Sequence, residues 1–170
     1  MAKLRKFSAY QRLERPYTRI SKFTNENYVR GGYPSIKINK FEMGNPNGKY
    51  DTTLKLNVTR DMNIRHNALE SVRMSANRVL EKALGNNYHF KIKIFPHHVL
   101  RENPLAAGAG ADRMSTGMKL AYGKTIGAAA RVRNGQSIVE VRVSKANAKL
   151  GKEALQRAAR KLPCSCKITS

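Results

Sequence analysis

The chain has 170 residues, 41% of them apolar, which is enough for one domain with a real core. Thirty-three lysines and arginines stand against 11 carboxylates, and the formal charge of +22 opposes compaction unless a dense counter-charge such as nucleic acid is present. No apolar run approaches the ~20 residues that cross a bilayer and no basic-then-apolar leader opens the chain, so a cytoplasmic polyanion is expected and a membrane is not.

Residues 1–33 carry eight cations, two carboxylates and six of the twelve aromatics. Phe7, Tyr10, Tyr17, Phe23, Tyr28 and Tyr33 stand among Arg5, Lys6, Arg12, Arg15, Arg19, Lys22 and Arg30, with no sustained period. This reads as an extended arm whose cations meet phosphates while its rings stack or pack. Residues 34–170 read as a single domain. Ile36 and Ile38 alternate with polar residues in a short strand, Phe41 falls one step out of phase, and Asn45 to Gly48 form a turn. A strand at 52–59, with Leu54, Leu56 and Val58 on one face, is expected to pair with it like a hairpin.

Spacing turns helical over 66–84, placing Leu69, Val72, Ala76, Val79, Leu80 and Ala83 on one stripe, with Gly85 as the C-terminal cap. A strand follows at 88–95, with Tyr88, Phe90, Ile92 and Ile94 on one face, and Pro96 stops it. Another strand is expected near 97–101, then a basic Gly/Ala-rich loop over 102–127. Strands near 128–133 and 137–144 follow, with Asn134 and Gly135 as the turn between them. A helix at 149–162 buries Leu150, Ala154, Leu155, Ala158 and Leu162 and exposes Lys152, Arg157, Arg160 and Lys161. The fold class is α+β, two helices packed on a mainly antiparallel sheet.

Within the loop region, glycines at 108, 110, 117, 123 and 127 alternate with Arg113, Lys119, Lys124, Arg131 and Arg133, and no carboxylate follows Asp112. Such a segment brings bare backbone close to a polyanion. Gly117 to Thr125 ends like a phosphate-binding P-loop, but five residues separate its glycines where the signature needs four, and no helix signal follows. The sequence around His97 and His98 declares no orienting carboxylate or nucleophile, the nearest carboxylate being Glu102 on a segment that reads as loop, so packing or RNA contact is expected of them rather than catalysis. Cys164 and Cys166 lack the second ligand pair that structural zinc wants and read as reduced thiols. Glu70, Glu81 and Glu153 can pair with cations such as Arg73, Lys149 or Arg157. No catalytic residue, metal, cofactor or small-molecule substrate is expected. Neither helix has a DNA-reading partner, whereas irregular arms and small-residue loops suit folded RNA.

The run Ala109-Gly110-Ala111-Asp112-Arg113-Met114, then Thr116-Gly117-Met118, Ala121, Gly123-Lys124, Gly127 and Ala130-Arg131-Val132, resembles the signature of the ribosomal protein family L-ten-e, the archaeal and eukaryotic counterpart of bacterial L-sixteen. Ile94 to Arg101, and Ala68-Leu69-Glu70 with Arg73 and Ala76-Asn77, agree with it, and the likeness covers about 60–163 well. The resemblance implies a hammerhead-type domain docked on large-subunit ribosomal RNA near the aminoacyl-tRNA site, with neighbouring ribosomal proteins as further partners and no catalysis. It implies that the loop matching Glu102 to Thr116 reaches toward the peptidyl transferase centre. Gly108, Ala109, Gly110, Ala111, Asp112, Arg113 and Met114 then lie nearest tRNA, and Arg113, Lys119, Lys124 and Arg131 become RNA contacts. A free RNA chaperone or assembly factor is the alternative.

Overall fold

The computed structural model describes residues 5–13, 29, 33–103, 105, 108–114, 118 and 123–170. Its elements run β1 (Glu42–Gly44), β2 (Thr52–Val58), β3 (Met62–Arg65), α1 (His66–Leu84), β4 (His89–Ile92), β5 (His98–Glu102), a one-turn α2 (Ala111–Met114), β6 (Lys124–Val132), β7 (Ser137–Val143), α3 (Ala148–Ala159) and β8 (Cys166–Thr169). Every strand pairing is antiparallel, and the class is α+β with two long helices. The strands divide between two sheets, a larger one ordered β1-β4-β7-β2-β8 and a smaller one ordered β3-β6-β5.

One core joins both sheets and both helices. Leu54 and Leu56 of β2, Phe90 of β4 and Val139, Val141 and Val143 of β7 meet Leu69, Val72, Ala76 and Leu80 of α1 and Ala154, Leu155 and Ala158 of α3. Met62 and Ile64 of β3 and Ala130 and Val132 of β6 join from the small sheet. Gly151 lets α3 sit close, since a Cβ there would lie 2.8 Å from a Leu54 methyl and 3.3 Å from one of Val143. Gly85 ends α1 at φ 59, a conformation that L side chains resist, and its N–H reaches the Glu81 carbonyl.

Several expectations change. The strand expected at 36–39 is absent, although Ile38 is buried and Ile36 half-buried; pairing begins only at β1, whose partner is β4. There is no β1–β2 hairpin, because β2 is taken on both sides by β7 and β8. The turn at Asn134 and Gly135 exists, yet it joins no hairpin: β6 belongs to the small sheet and β7 to the large one. Ala83 is exposed, and Leu84 takes the half-buried place at the end of the helical stripe. α3 stops at Ala159, and its last residues tighten into i→i+3 bonds, Lys161 to Ala158 and Leu162 to Ala159, before Pro163.

Ile138 has the parity of the polar face, yet it is fully buried. The β2–β7 register jumps from Leu56↔Val139 to Asn57↔Ser137, so Ile138 is the extra residue of a bulge.

Beyond that bulge the outer face of the large sheet is charged. Glu140 is almost wholly buried there, with Lys93 Nζ at 3.3 Å and Arg142 Nη2 at 2.7 Å. Burial pushes its carboxyl pKa up, but the hydrogen bonds from Arg142 and Lys93 outweigh it and hold the group below the usual glutamate range. A carboxylate depressed in the folded state contributes stability above its unfolded pKa of about 4.3 and loses it as pH falls through the folded value. Glu140→Gln should therefore destabilise the chain at neutral pH and flatten the acid limb of its stability–pH profile, measured by urea unfolding between neutrality and the carboxylate range.

Candidate nucleic-acid interface

Residues 5–13 lie as a strap across the outer face of the small sheet. That face is shallow, built around Ala129 and Leu100, and Tyr10 fills it together with Ile126. Ile126 reaches this side because the β5–β6 register jumps from Leu100↔Gly127 to Arg101↔Thr125, leaving it as the extra residue of a second bulge.

Hydrogen bonds then lock the strap. Asn63 donates its side-chain amide to the carbonyls of Tyr10 at 3.0 Å and Arg12 at 2.8 Å, and its backbone N–H to Gln11 at 3.2 Å. Arg65 donates to the Arg5 carbonyl at 2.9 Å and holds its guanidinium 5.9 Å from the Tyr10 ring centroid. The Tyr10 hydroxyl accepts the Arg5 N–H at 3.0 Å and donates to Glu102 Oε2 at 3.2 Å. Arg5 closes the circuit through its Nε, 3.1 Å from Glu102.

Six of the expected cations lie around this arrangement. Lys6 and Arg12 are exposed on the strap, and Arg5 is mostly exposed while it pairs with Glu102. Arg131 is the register partner of Asn63 and so shares the strapped face, exposed at its margin, and Arg133 is exposed just beyond the strand. Lys124 is exposed opposite Glu102. Arg113 is exposed on α2, apart from this group in the chain. Arg15, Arg19 and Lys119 lie outside the described residues, as do the side chains of Asp112 and Met114.

The loop expected over 102–127 is shorter than that, because Glu102 ends β5 and Lys124 to Gly127 already belong to β6, and it is pinned at its base. Glu102 and Lys124 are paired, and Gly123 packs so tightly, at φ 70, that any Cβ would overlap the Glu102 carbonyl. Farther out, Gly108, Ala109 and Gly110 are exposed and lead into α2, whose Ala111 and Arg113 N–H groups bond to the Gly108 and Gly110 carbonyls.

Carboxylates seldom compete for a polyanion here. Glu42, Glu70, Glu102, Glu140 and Glu153 each face a cation, as was expected for Glu70 with Arg73 and Glu153 with Arg157. Asp61 accepts the Asn134 N–H at 2.6 Å, and Glu81 accepts from Asn77. His66 is buried, and desolvation first, then Lys37 and Arg65, keep its pKa below the usual histidine value and the ring neutral. Among the described residues, no three metal-ligating side chains converge.

Two features escaped sequence reasoning. Asn63 and Arg65, the anchors of the strap, sit in a four-residue strand whose alternation Met-Asn-Ile-Arg is too short to stand out. Half-buried Phe41 stacks on exposed Phe95, with centroids 5.3 Å apart, and exposed His97 lies tilted against Phe95 at 4.5 Å. Phe41's displaced parity was the available signal.

The family model for ribosomal protein L16p/L10e matches residues 14–169. A protein named large ribosomal subunit protein uL16 from Staphylothermus marinus is 50% identical over 157 residues, covering 91% of this chain and 90% of its own. Its namesake from Hyperthermus butylicus is 48% identical over 147 residues, covering 86% and 81%, and that from Methanococcus maripaludis 42% over 166 residues, covering 97% and 92%. The chain belongs to the L16p/L10e ribosomal protein family.

Asn63→Ala should release the strap. It leaves the Tyr10 and Arg12 carbonyls without their donor, at about 1–3 kcal/mol for an unmet buried group. Hydrogen exchange should rise sharply over residues 5–13 while α1 and β7 stay protected; uniform protection would show that Tyr10 holds the strap alone.

Proposed function

We propose that this chain is a structural, non-enzymatic constituent of the large subunit of cytoplasmic ribosomes. It binds large-subunit ribosomal RNA near the aminoacyl-tRNA site and the peptidyl transferase centre and supports tRNA positioning in translation. The relatives' shared name supports the subunit, and one observation carries the RNA-binding reading. Exposed Lys6, Arg12, Lys124, Arg131 and Arg133 surround a strapped small sheet whose own carboxylate, Glu102, is occupied by Arg5 and Tyr10. Among the described residues no helix is long and apolar enough to cross a membrane.

In this reading, the arm over 1–33 carries Arg5, Lys6, Arg12, Arg15 and Arg19 to phosphates, and the domain over 34–170, of hammerhead type, presents Arg113, Lys119, Lys124, Arg131 and Arg133. Gly108 to Met114, at the end of the pinned loop, lie nearest tRNA. Exposed glycine and alanine backbone offers N–H and C=O groups and a small cross-section, which suits contact by shape against a folded RNA. The exposed rings of Phe95 and His97 add a place where an unpaired base can stack.

Contacts to about eight phosphates would lower affinity roughly ten-thousandfold between about 50 and 200 mM salt. Lys124→Ala and Arg131→Ala should each reduce the slope of log affinity against log salt by about one, read by filter binding to large-subunit RNA. Unchanged slopes would assign both residues a structural role. In a lysate sedimented at high salt, the chain should stay with the large subunit; recovery mainly in free fractions would favour an RNA chaperone or assembly factor instead.

A further inference from the structure

Away from the strap, the chain's two cysteines meet where β8 begins. Cys164 Sγ lies 3.6 Å from Cys166 Sγ, and the Cys166 thiol is also 3.6 Å from the Cys164 carbonyl. The backbone around them is held. Thr59 gives both its N–H, at 3.3 Å, and its hydroxyl, at 2.8 Å, to the Ser165 carbonyl, and Cys166 is paired with Val58. Pro163 ends the turn after α3. A cleft of about 500 Å³ opens here, lined by Thr59, Arg60, Leu162, Pro163, Cys164 and Ser165. Cys164 therefore lines the cleft beside an exposed guanidinium, while Cys166, half-buried like it, is outside that lining.

We propose that Cys164 and Cys166 form a thiol–disulfide exchange site for small anionic disulfides, in which Cys164 attacks, Cys166 closes the ring and Arg60 holds the incoming anion. In the first step the Cys164 thiolate attacks one sulfur of the disulfide; a mixed disulfide forms, and one small thiolate leaves and takes a proton from water. In the second, Cys166 gives up its proton and attacks Cys164 Sγ, and the second small thiolate departs with that proton. Two protein thiols become one disulfide, and one small disulfide becomes two thiols, with no other reactant.

The division of labour follows from the surroundings. The hydrogen bond from Cys166 chiefly, with Arg60 adding to it against the effect of burial, lowers the pKa of the Cys164 thiol, whereas the same bond and burial raise that of Cys166. A nucleophile that lines a cleft with a resolving thiol next to it is the arrangement of a responsive dithiol. The two Sγ atoms, 3.6 Å apart across one intervening residue, have to close to the bonded distance of about 2 Å. In a reducing compartment such a bond would be transient.

The test uses the folded full-length chain, oxidised glutathione as the anionic probe and bis(2-hydroxyethyl) disulfide as the neutral one, with acid quenching and intact mass. The wild-type chain should lose two hydrogens, Cys166→Ser should stop as a mixed disulfide on Cys164, and Cys164→Ser should stay reduced over the same interval. Arg60→Gln should slow the reaction with oxidised glutathione about fivefold more than that with the neutral disulfide, whose smaller slowing reports the lost effect of Arg60 on the Cys164 thiolate. A wild-type chain that stops at the mixed disulfide, or a Cys164→Ser chain that reacts as fast as Cys166→Ser, overturns the proposal. Equal slowing with both probes overturns the role of Arg60. Should a serine variant fail to fold, peptide mapping of the earliest wild-type adduct decides between the two thiols.

Discussion

The carboxamide of Asn63 holds together two parts of the chain that would otherwise repel each other. It sits on the short strand β3, and through it the carbonyls of Tyr10 and Arg12 are bound to the small sheet. A face made of Ala129, Leu100 and the backbone at Gly127 is too shallow to exclude water alone, so Tyr10 must lie on it. Tyr10 in turn cannot come without its basic neighbours. Arg65 and Glu102 absorb what those neighbours bring, the first by binding a carbonyl and facing the ring, the second by pairing with Arg5. What remains unneutralised, at Lys6, Arg12, Arg131 and Arg133, points outward.

Much of this was legible where a period was long. The α1 stripe from Leu69 to Leu80, the alternation of Tyr88 to Ile94, Val139, Val141 and Val143 of β7 and Ala154, Leu155 and Ala158 of α3 sit where their spacing puts them, whereas Leu150 is only half-buried. Short elements were not legible, since four residues of β3 or β8 carry too few alternations to rise above chance. Partnership was harder still. Nothing local in Leu54-Lys55-Leu56 tells that β2 pairs with β7 and with the far end of the chain, because strand neighbours are chosen by the whole core. The two bulges defeated parity for the same reason, as Ile126 and Ile138 each follow a register jump imposed by a partner.

For the candidate interface, charge singled out cations without arranging them. Arg5, Lys124 and Arg131 were visible as cations in a basic chain, but that Glu102 lies opposite one and pairs with another depends on the β5–β6 register. The uncharged anchor, Asn63, carried no signal at all. Acidic residues are sparse, and the structure sets several of them within local pairs, so that a large positive excess faces outward while the interior of the charged sheet face at Glu140 is balanced.

The corner at Asn134 and Gly135 lies against the other place where the chain changes sheets. Gly135 donates to the Val58 carbonyl, Val58 donates to that of Gln136, and Asp61 accepts from Asn134, so the passage from β2 to β3 and the passage from β6 to β7 are bonded side by side. Each sheet is thus assembled from strands that the other sheet interrupts, and neither is a contiguous piece of chain. Such non-local pairing makes folding slow, since loops must close before contacts reward them. It also makes the two sheets one cooperative unit with no half that can be cut away and remain folded. A nascent chain holds β1, β2 and β4 without the β7 and β8 that complete their sheet, so the larger sheet closes only when synthesis has reached β8.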